Sequence, residues 1–182
     1  MSEILFTNAR LIDPVTLTDA PGWLRVAKGK IVESGDGKAP EAKGEVVDCG
    51  GLCLAPGIID IGVKVSEPGE RHKESFRSAG KAAAAGGVTT IVTRPDTTPA
   101  IDSPEILEFV ARRAAAEAIV NVLPMAALTK GRAGREMTEI GFLQDAGAVA
   151  FTDCDRVVTD TKVYARALTY ARSLGALVIG HV

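Results

Sequence analysis

From Pro56 onward, apolar runs short enough to be strands alternate with longer stretches patterned as helices, and this rhythm constrains the fold more than any other feature. Strand-like runs fall at Gly57–Val65, Thr89–Thr93, Ile119–Leu123, Ala148–Phe151 and Leu177–Val182. Helical patterns fall at Lys73–Ala85, Ser103–Glu117, Met137–Asp145 and Asp160–Leu174. Strands separated by helices cannot be joined as tight hairpins, so the alternation predicts βα units and a parallel sheet. Local signals agree. Ser103-Pro104-Glu105 offers a capping hydroxyl, a proline in the first turn and an early acid. Gly86-Gly87 supplies positive φ at low cost where the preceding helix must stop. The small residues of Ala82–Ala85 read as a close helix-to-sheet contact.

Before Pro56 the style differs. Ile4-Leu5-Phe6, Trp23-Leu24-Arg25-Val26, Ile31-Val32 and Val46-Val47 are short β-rich runs broken by Asp13-Pro14, Lys28-Gly29-Lys30 and a Gly/Lys/Pro-rich stretch. Such spacing predicts a small antiparallel sheet, the opening part of a small β-sandwich subdomain, over residues 1–55. The βα region then covers residues 56–182. A closed (β/α) barrel needs eight strands and about 250 residues. About five strands fit here, and the β-rich preface before them suits an α/β architecture that is the N-terminal part of a TIM-type barrel in a truncated chain. An open doubly wound sheet is the alternative on pattern alone.

Composition excludes several classes. Among 182 residues 46% are hydrophobic, 24% charged and 4% aromatic, as in ordinary globular proteins. A net charge of −2 and a pI near 5.7 give no electrostatic footprint for nucleic acid or an anionic membrane. No stretch reaches the roughly 18 apolar residues of a membrane span, and no cationic leader precedes an apolar core. Three cysteines (Cys49, Cys53, Cys154) are odd in number and lack zinc-ribbon spacing. A reducing, cytoplasmic setting is expected. Gly86-Gly87 is not part of a phosphate loop, because neither a G-x-G-x-x-G nor a P-loop pattern follows the strand.

The chemistry-bearing residues cluster at the ends of the βα strands. Leu54-Ala-Pro-Gly-Ile-Ile-Asp-Ile-Gly-Val-Lys-Val-Ser-Glu-Pro-Gly69, with Lys73-Glu74 after it, resembles the first barrel strand of cyclic amidohydrolases, and of dihydroorotases in particular, which reads P-G-[LI]-[IV]-D-x-H-x-H-x-R-E-P-G. The resemblance runs on in order. Ala82–Pro99 is similar to A-A-A-G-G-x-T-T-x-x-x-M-P-N-T-x-P, Leu128–Gly134 to a T-K-G segment, Ala146–Asp153 to A-G-x-x-A-F-[ST]-D-D-G, and His181 to a strand-end histidine. The family implies a barrel enzyme that uses zinc to interconvert N-carbamoyl-aspartate and dihydroorotate. Opening a stable amide ring at neutral pH needs a metal to generate hydroxide and polarise the carbonyl. Two histidines on alternate strand positions can share one ion, and an arginine suits the substrate carboxylate.

This chain departs from the family where that chemistry sits. Gly62 and Lys64 occupy the two strand-one histidine positions, Ser66 the substrate-binding arginine, Arg94 the methionine, Asp96 the asparagine, and Cys154 the second aspartate of the D-D-G segment. By the resemblance only Asp153 and His181 remain as metal-ligand matches, with Glu67 kept in the E-P-G turn. Two ligands are too few for a tight zinc site, so no cofactor is expected. The resemblance then implies a catalytically silent paralogue, an oligomer associating with aspartate carbamoyltransferase; the rival reading is an active zinc-dependent dihydroorotase. Plainer roles stand beside these. His181 can be a structural partner of Asp153, Asp153 a cap on the loop entering the Asp160 helix, and Cys154 a space-filler lacking a histidine to activate it. His72 and Asp155-Arg156 read as surface residues. If Lys64 follows strand alternation into the barrel mouth, its ammonium is expected to replace the metal's charge and pair with Asp153, with His181 nearby.

Overall fold

The computed structural model describes residues 3–180. Two compact units divide the chain, Met1–Pro56 and Gly57–Val182.

The first unit is one mixed sheet. Its strands are β1 (Glu3–Asp13), β2 (Thr18–Ala27), β3 (Lys30–Gly35), β4 (Glu45–Asp48) and β5 (Cys53–Leu54), ordered β3-β2-β1-β4 with β5 also on β1. The β1–β2 and β2–β3 pairs are antiparallel, as expected, but β4 and β5 run parallel to β1. The stretch between Gly35 and Glu45 carries the chain past β2 to the far side of β1, which it joins in the same direction. Leu5, Ala9 and Trp23 are buried. The Trp23 indole N–H donates to the Asp36 carbonyl at 3.2 Å. A Cβ at Gly35 would lie 2.8 Å from the Trp23 ring, so that position must be glycine for the indole to pack.

The second unit repeats strand and helix: β6 (Ile58–Val63), α1 (Phe76–Ala85), β7 (Val88–Thr93), α2 (Pro104–Glu117), β8 (Asn121–Pro124), a 3-10 turn at Lys130–Arg132, α3 (Ile140–Asp145) and α4 (Thr161–Ser173). Strands β6, β7 and β8 are parallel neighbours in chain order. Phe151 extends the series by parallel bridges to Ala126 and Val178. Alternation along β7 divides the packing. Ile91 joins Phe76, Leu107, Val110 and Leu143 in the main core. Val92 belongs to a smaller cluster with Met125 and Ala150. Each large side chain fully buried in this way contributes about 1.5–3 kcal/mol.

Element ends differ from the sequence expectation for local reasons. Helix α1 begins at Phe76, not Lys73, because Ser75 caps it through a reciprocal hydrogen-bond pair with Ser78. Ser103 stands at the N-cap of α2 but makes no cap bond to the backbone. Its hydroxyl instead holds the Glu105 carboxyl below its ordinary pKa range. Helix α3 starts late, since Met137 bridges Thr129 and the Thr138 hydroxyl donates to the Ala127 carbonyl. Helix α4 is as expected, with the Asp160 carboxylate accepting from the N–H groups of Lys162 and Val163. The expected strands at Ala148–Phe151 and Leu177–Val182 are reduced to the single bridges of Phe151 and Val178, and residues 181–182 lie outside the described residues. Only Ala83 of the Ala82–Ala85 run reaches the core; the other three alanines are exposed, and Ala79 and Gly80 are the buried small residues of α1.

Candidate functional site

Gly62 determines how the site is laid out. Ile61 pairs with Val92 and Val63 with the next residue, Thr93, so Gly62 is an extra residue in β6. Its φ of +93° lies where glycine is favoured over other residues. A bulge of this kind re-aims the side chains that follow it. Lys64, just beyond the end of β6, does not reach Asp153 as strand alternation led us to expect. Its Nζ lies 3.0 Å from Oδ2 of Asp96. Arg94 donates from Nη2 to the same oxygen at 2.9 Å. Asp96 is 3% exposed, against 55% for Lys64 and 29% for Arg94. A buried carboxylate is thus held between two partly solvated cations. The Arg94 guanidinium is partly buried, which opposes its charge, yet Asp96 and its neighbours hold its pKa above the ordinary value.

Asp153 is committed elsewhere. Its Oδ1 accepts from the backbone N–H groups of Leu128 and Thr129, both at 3.0 Å, and its Oδ2 accepts from the Thr129 hydroxyl. It is buried and closes the loop after β8. Capping of α4 belongs to Asp160 alone. Cys154, not Asp153, lines a pocket of about 320 Å³ together with Gly62, Arg94, Met125, Asp155 and Gly180. Burial first, and the nearby Asp96 charge second, push the Cys154 thiol pKa up, while Arg94 opposes them. The thiol is therefore held in its neutral form and is a poor nucleophile.

The remaining candidates separate into structural and unassociated residues. Ser66 is buried, and its carbonyl accepts from the Glu70 N–H at 2.8 Å. Glu67 is buried in the turn before α1, taking hydrogen bonds from the Phe76 N–H at 3.2 Å and from Arg113 Nε at 2.9 Å. His72 is exposed. His181 lies outside the described residues. Sequence reasoning missed Arg132, which is buried at φ +56° and donates to the Asp153 carbonyl and to the Asp155 carboxylate. Its place between two glycines in Leu128–Gly134 was the available signal. Asp155 itself is mostly exposed, as expected, but it is ion-paired with Arg132 and lies 3.8 Å from Arg94.

Among the described residues the donor set does not fit zinc. Gly62 has no ligand atom, Lys64 is a cation engaged by Asp96, and both Asp153 oxygens already accept hydrogen bonds. Among the described residues, no three His, Cys, Asp or Glu side chains come together in an arrangement suited to a metal ion.

A family model described as dihydro-orotase-like matches residues 51–182. The chain is 40% identical to a dihydroorotase of Geotalea daltonii over 179 residues, covering 98% of this chain and 42% of that protein. A dihydroorotase of a Wolbachia from Drosophila simulans is 42% identical over 180 residues, covering 98% of this chain and 40% of that protein. Among solved structures, the L-hydantoinase (dihydropyrimidinase) of Arthrobacter aurescens superposes with a TM-score of 0.83 at 22% identity, over 100% of this chain and 41% of that one. The fold is thus that of the N-terminal part of an amidohydrolase TIM-type barrel protein, and the chain spans about 42% of the length of the curated relatives it matches. With ordered motifs, a family match over most of its length and this identity to dihydroorotases, the chain belongs to the dihydroorotase-like family.

Proposed function

We propose that the chain is a catalytically silent dihydroorotase-like protein of pyrimidine biosynthesis that serves as a structural subunit, in an oligomer with aspartate carbamoyltransferase. The observation that carries the silent half of this reading is the Lys64–Asp96–Arg94 cluster. Lys64 and the Gly62 bulge occupy the place where the family resemblance puts a pair of metal-binding histidines. Without a metal, neither hydroxide formation nor carbonyl polarisation is available for opening dihydroorotate. The partner rests on the family resemblance. A cytoplasmic location agrees with three free cysteines, and among the described residues no helix is long and apolar enough to cross a membrane.

One experiment addresses both halves. The protein is assayed for dihydroorotate hydrolysis with added zinc, alone and mixed with aspartate carbamoyltransferase, and the mixture is sized by chromatography. No ring opening, with co-elution of the two proteins, is the expected result. The second reading, an active zinc-dependent dihydroorotase, is favoured by the 40% identity to proteins of that name. Zinc-dependent turnover by the protein alone establishes it.

A further inference from the structure

We infer that the outer face of α2, α3 and α4 is the surface on which two copies of this chain pair about a two-fold axis. Helix α3 touches α2 on one side and α4 on the other. Its Ile140 and Leu143 enter the core, while Phe142 turns away from them and is 66% exposed. On α4, Tyr170 and Leu174 are each 37% exposed and border Gly141, where an added Cβ would stand 3.4 Å from the Tyr170 hydroxyl and 3.7 Å from a Leu174 methyl. Apolar side chains gathered on a surface in this way mark a contact site, whereas one standing alone does not.

Charge decides what covers this centre. In α2, Leu107, Val110 and Ala114 are buried, and Glu105 and Glu108 stand exposed in the first two turns. In α4, Ala167 and Ala171 are buried, and Lys162 and Arg166 stand exposed in the first two turns. Among the described residues none of these four charges is in an ion pair. The face thus has an acidic flank, an apolar centre and a basic flank, as a self-complementary contact requires. A two-fold axis along α3 sets Phe142 against its counterpart and lays α4 of each copy over α2 of the other. Lys162 and Arg166 then meet Glu105 and Glu108. An axis across the helices would lay α4 on α4 and oppose like charges. Of the other charges, Arg112 is drawn over the Phe109 ring at 6.0 Å. Two helices that cross at an angle carry the α3 acids Glu139 and Asp145 away from the axis.

The test is sedimentation velocity of the full-length protein without aspartate carbamoyltransferase, so its outcome is separate from the proposed association with that enzyme. We expect a dimer that weakens as salt is raised. Phe142→Asp should raise its dissociation constant about thirtyfold or more. Arg166→Glu should weaken it about tenfold, and adding Glu108→Arg should restore it, a rescue that loss of folding cannot mimic. A monomer at every concentration, a dimer indifferent to Phe142→Asp, or an Arg166→Glu defect that Glu108→Arg leaves uncorrected overturns the inference. A chain that is monomeric alone and loses co-elution with aspartate carbamoyltransferase through Phe142→Asp assigns the face to that enzyme and overturns it too.

Discussion

Lys64 and Arg94 converge on a single oxygen of Asp96, at 3.0 and 2.9 Å, although only the carboxylate is buried. The two cations should therefore matter unequally. Lys64 is more than half exposed, so Lys64→Ala should cost less than about 1 kcal/mol. Arg94→Ala removes the less exposed partner, which also hydrogen-bonds the carboxylate, and should cost about 2–3 kcal/mol. Lys64→Ala and Asp153→Asn share no partner and should add without coupling. Urea denaturation of the single and double variants measures all three.

Asp153 holds a loop, whatever else its position implies. Asp153→Ala leaves the buried N–H groups of Leu128 and Thr129 without an acceptor, a loss on the order of 3 kcal/mol. Asp153→Asn keeps one carbonyl for those donors and should cost less than half as much. The measurement is thermal unfolding in the presence of a chelator. A cost that appears only when zinc is added would identify the residue as a metal ligand instead.

Much of the fold was legible in the sequence because hydrophobic period and capping chemistry are local. Asp160 capping α4 and Gly87 at φ +77° after α1 show this. The site was less legible. Gly62 read as a missing ligand, whereas in the fold it is an inserted residue that turns Lys64 away from the direction strand alternation gives. Asp153 and Cys154 are adjacent in sequence and nothing local says which faces the pocket; the pairing of Asp153 with the Leu128-Thr129 backbone, twenty-four and more residues away, decides it. Arg132 was marked in the sequence only by its place between two glycines, and its role was not legible, since its partners Asp153 and Asp155 are brought close only by folding.

Glu67 is kept within the family's E-P-G turn for a reason that needs no catalysis. It is buried, with Arg113 and the Phe76 N–H as partners, so it ties the β6–α1 turn to α2. Glu67→Ala leaves the Phe76 N–H without its acceptor and Arg113 with Glu117 alone, and should cost about 2–3 kcal/mol. Calorimetric unfolding checks this. A loss below about 1 kcal/mol would show that the turn is held by something else.

Cys154 should respond to pH in a defined direction. Burial and Asp96 raise its thiol pKa, so the fold favours the protonated form. That contribution to stability is complete below the unfolded thiol's pKa, near 8.5, and is lost as pH rises through the higher folded value. Iodoacetamide at neutral pH should therefore modify exposed Cys53 well before Cys154. In Asp96→Asn, one of the charges that raises the Cys154 pKa is removed and its alkylation should speed up. Mass spectrometry of timed digests reads both rates.

Elemental analysis of the full-length protein purified with added zinc measures directly whether this barrel mouth holds zinc. The Lys64–Asp96–Arg94 cluster and the Gly62 bulge predict zinc far below one ion per chain and no zinc-dependent opening of dihydroorotate. Stoichiometric zinc near residues 62 and 64, lost to a chelator together with hydrolytic activity, would contradict that prediction.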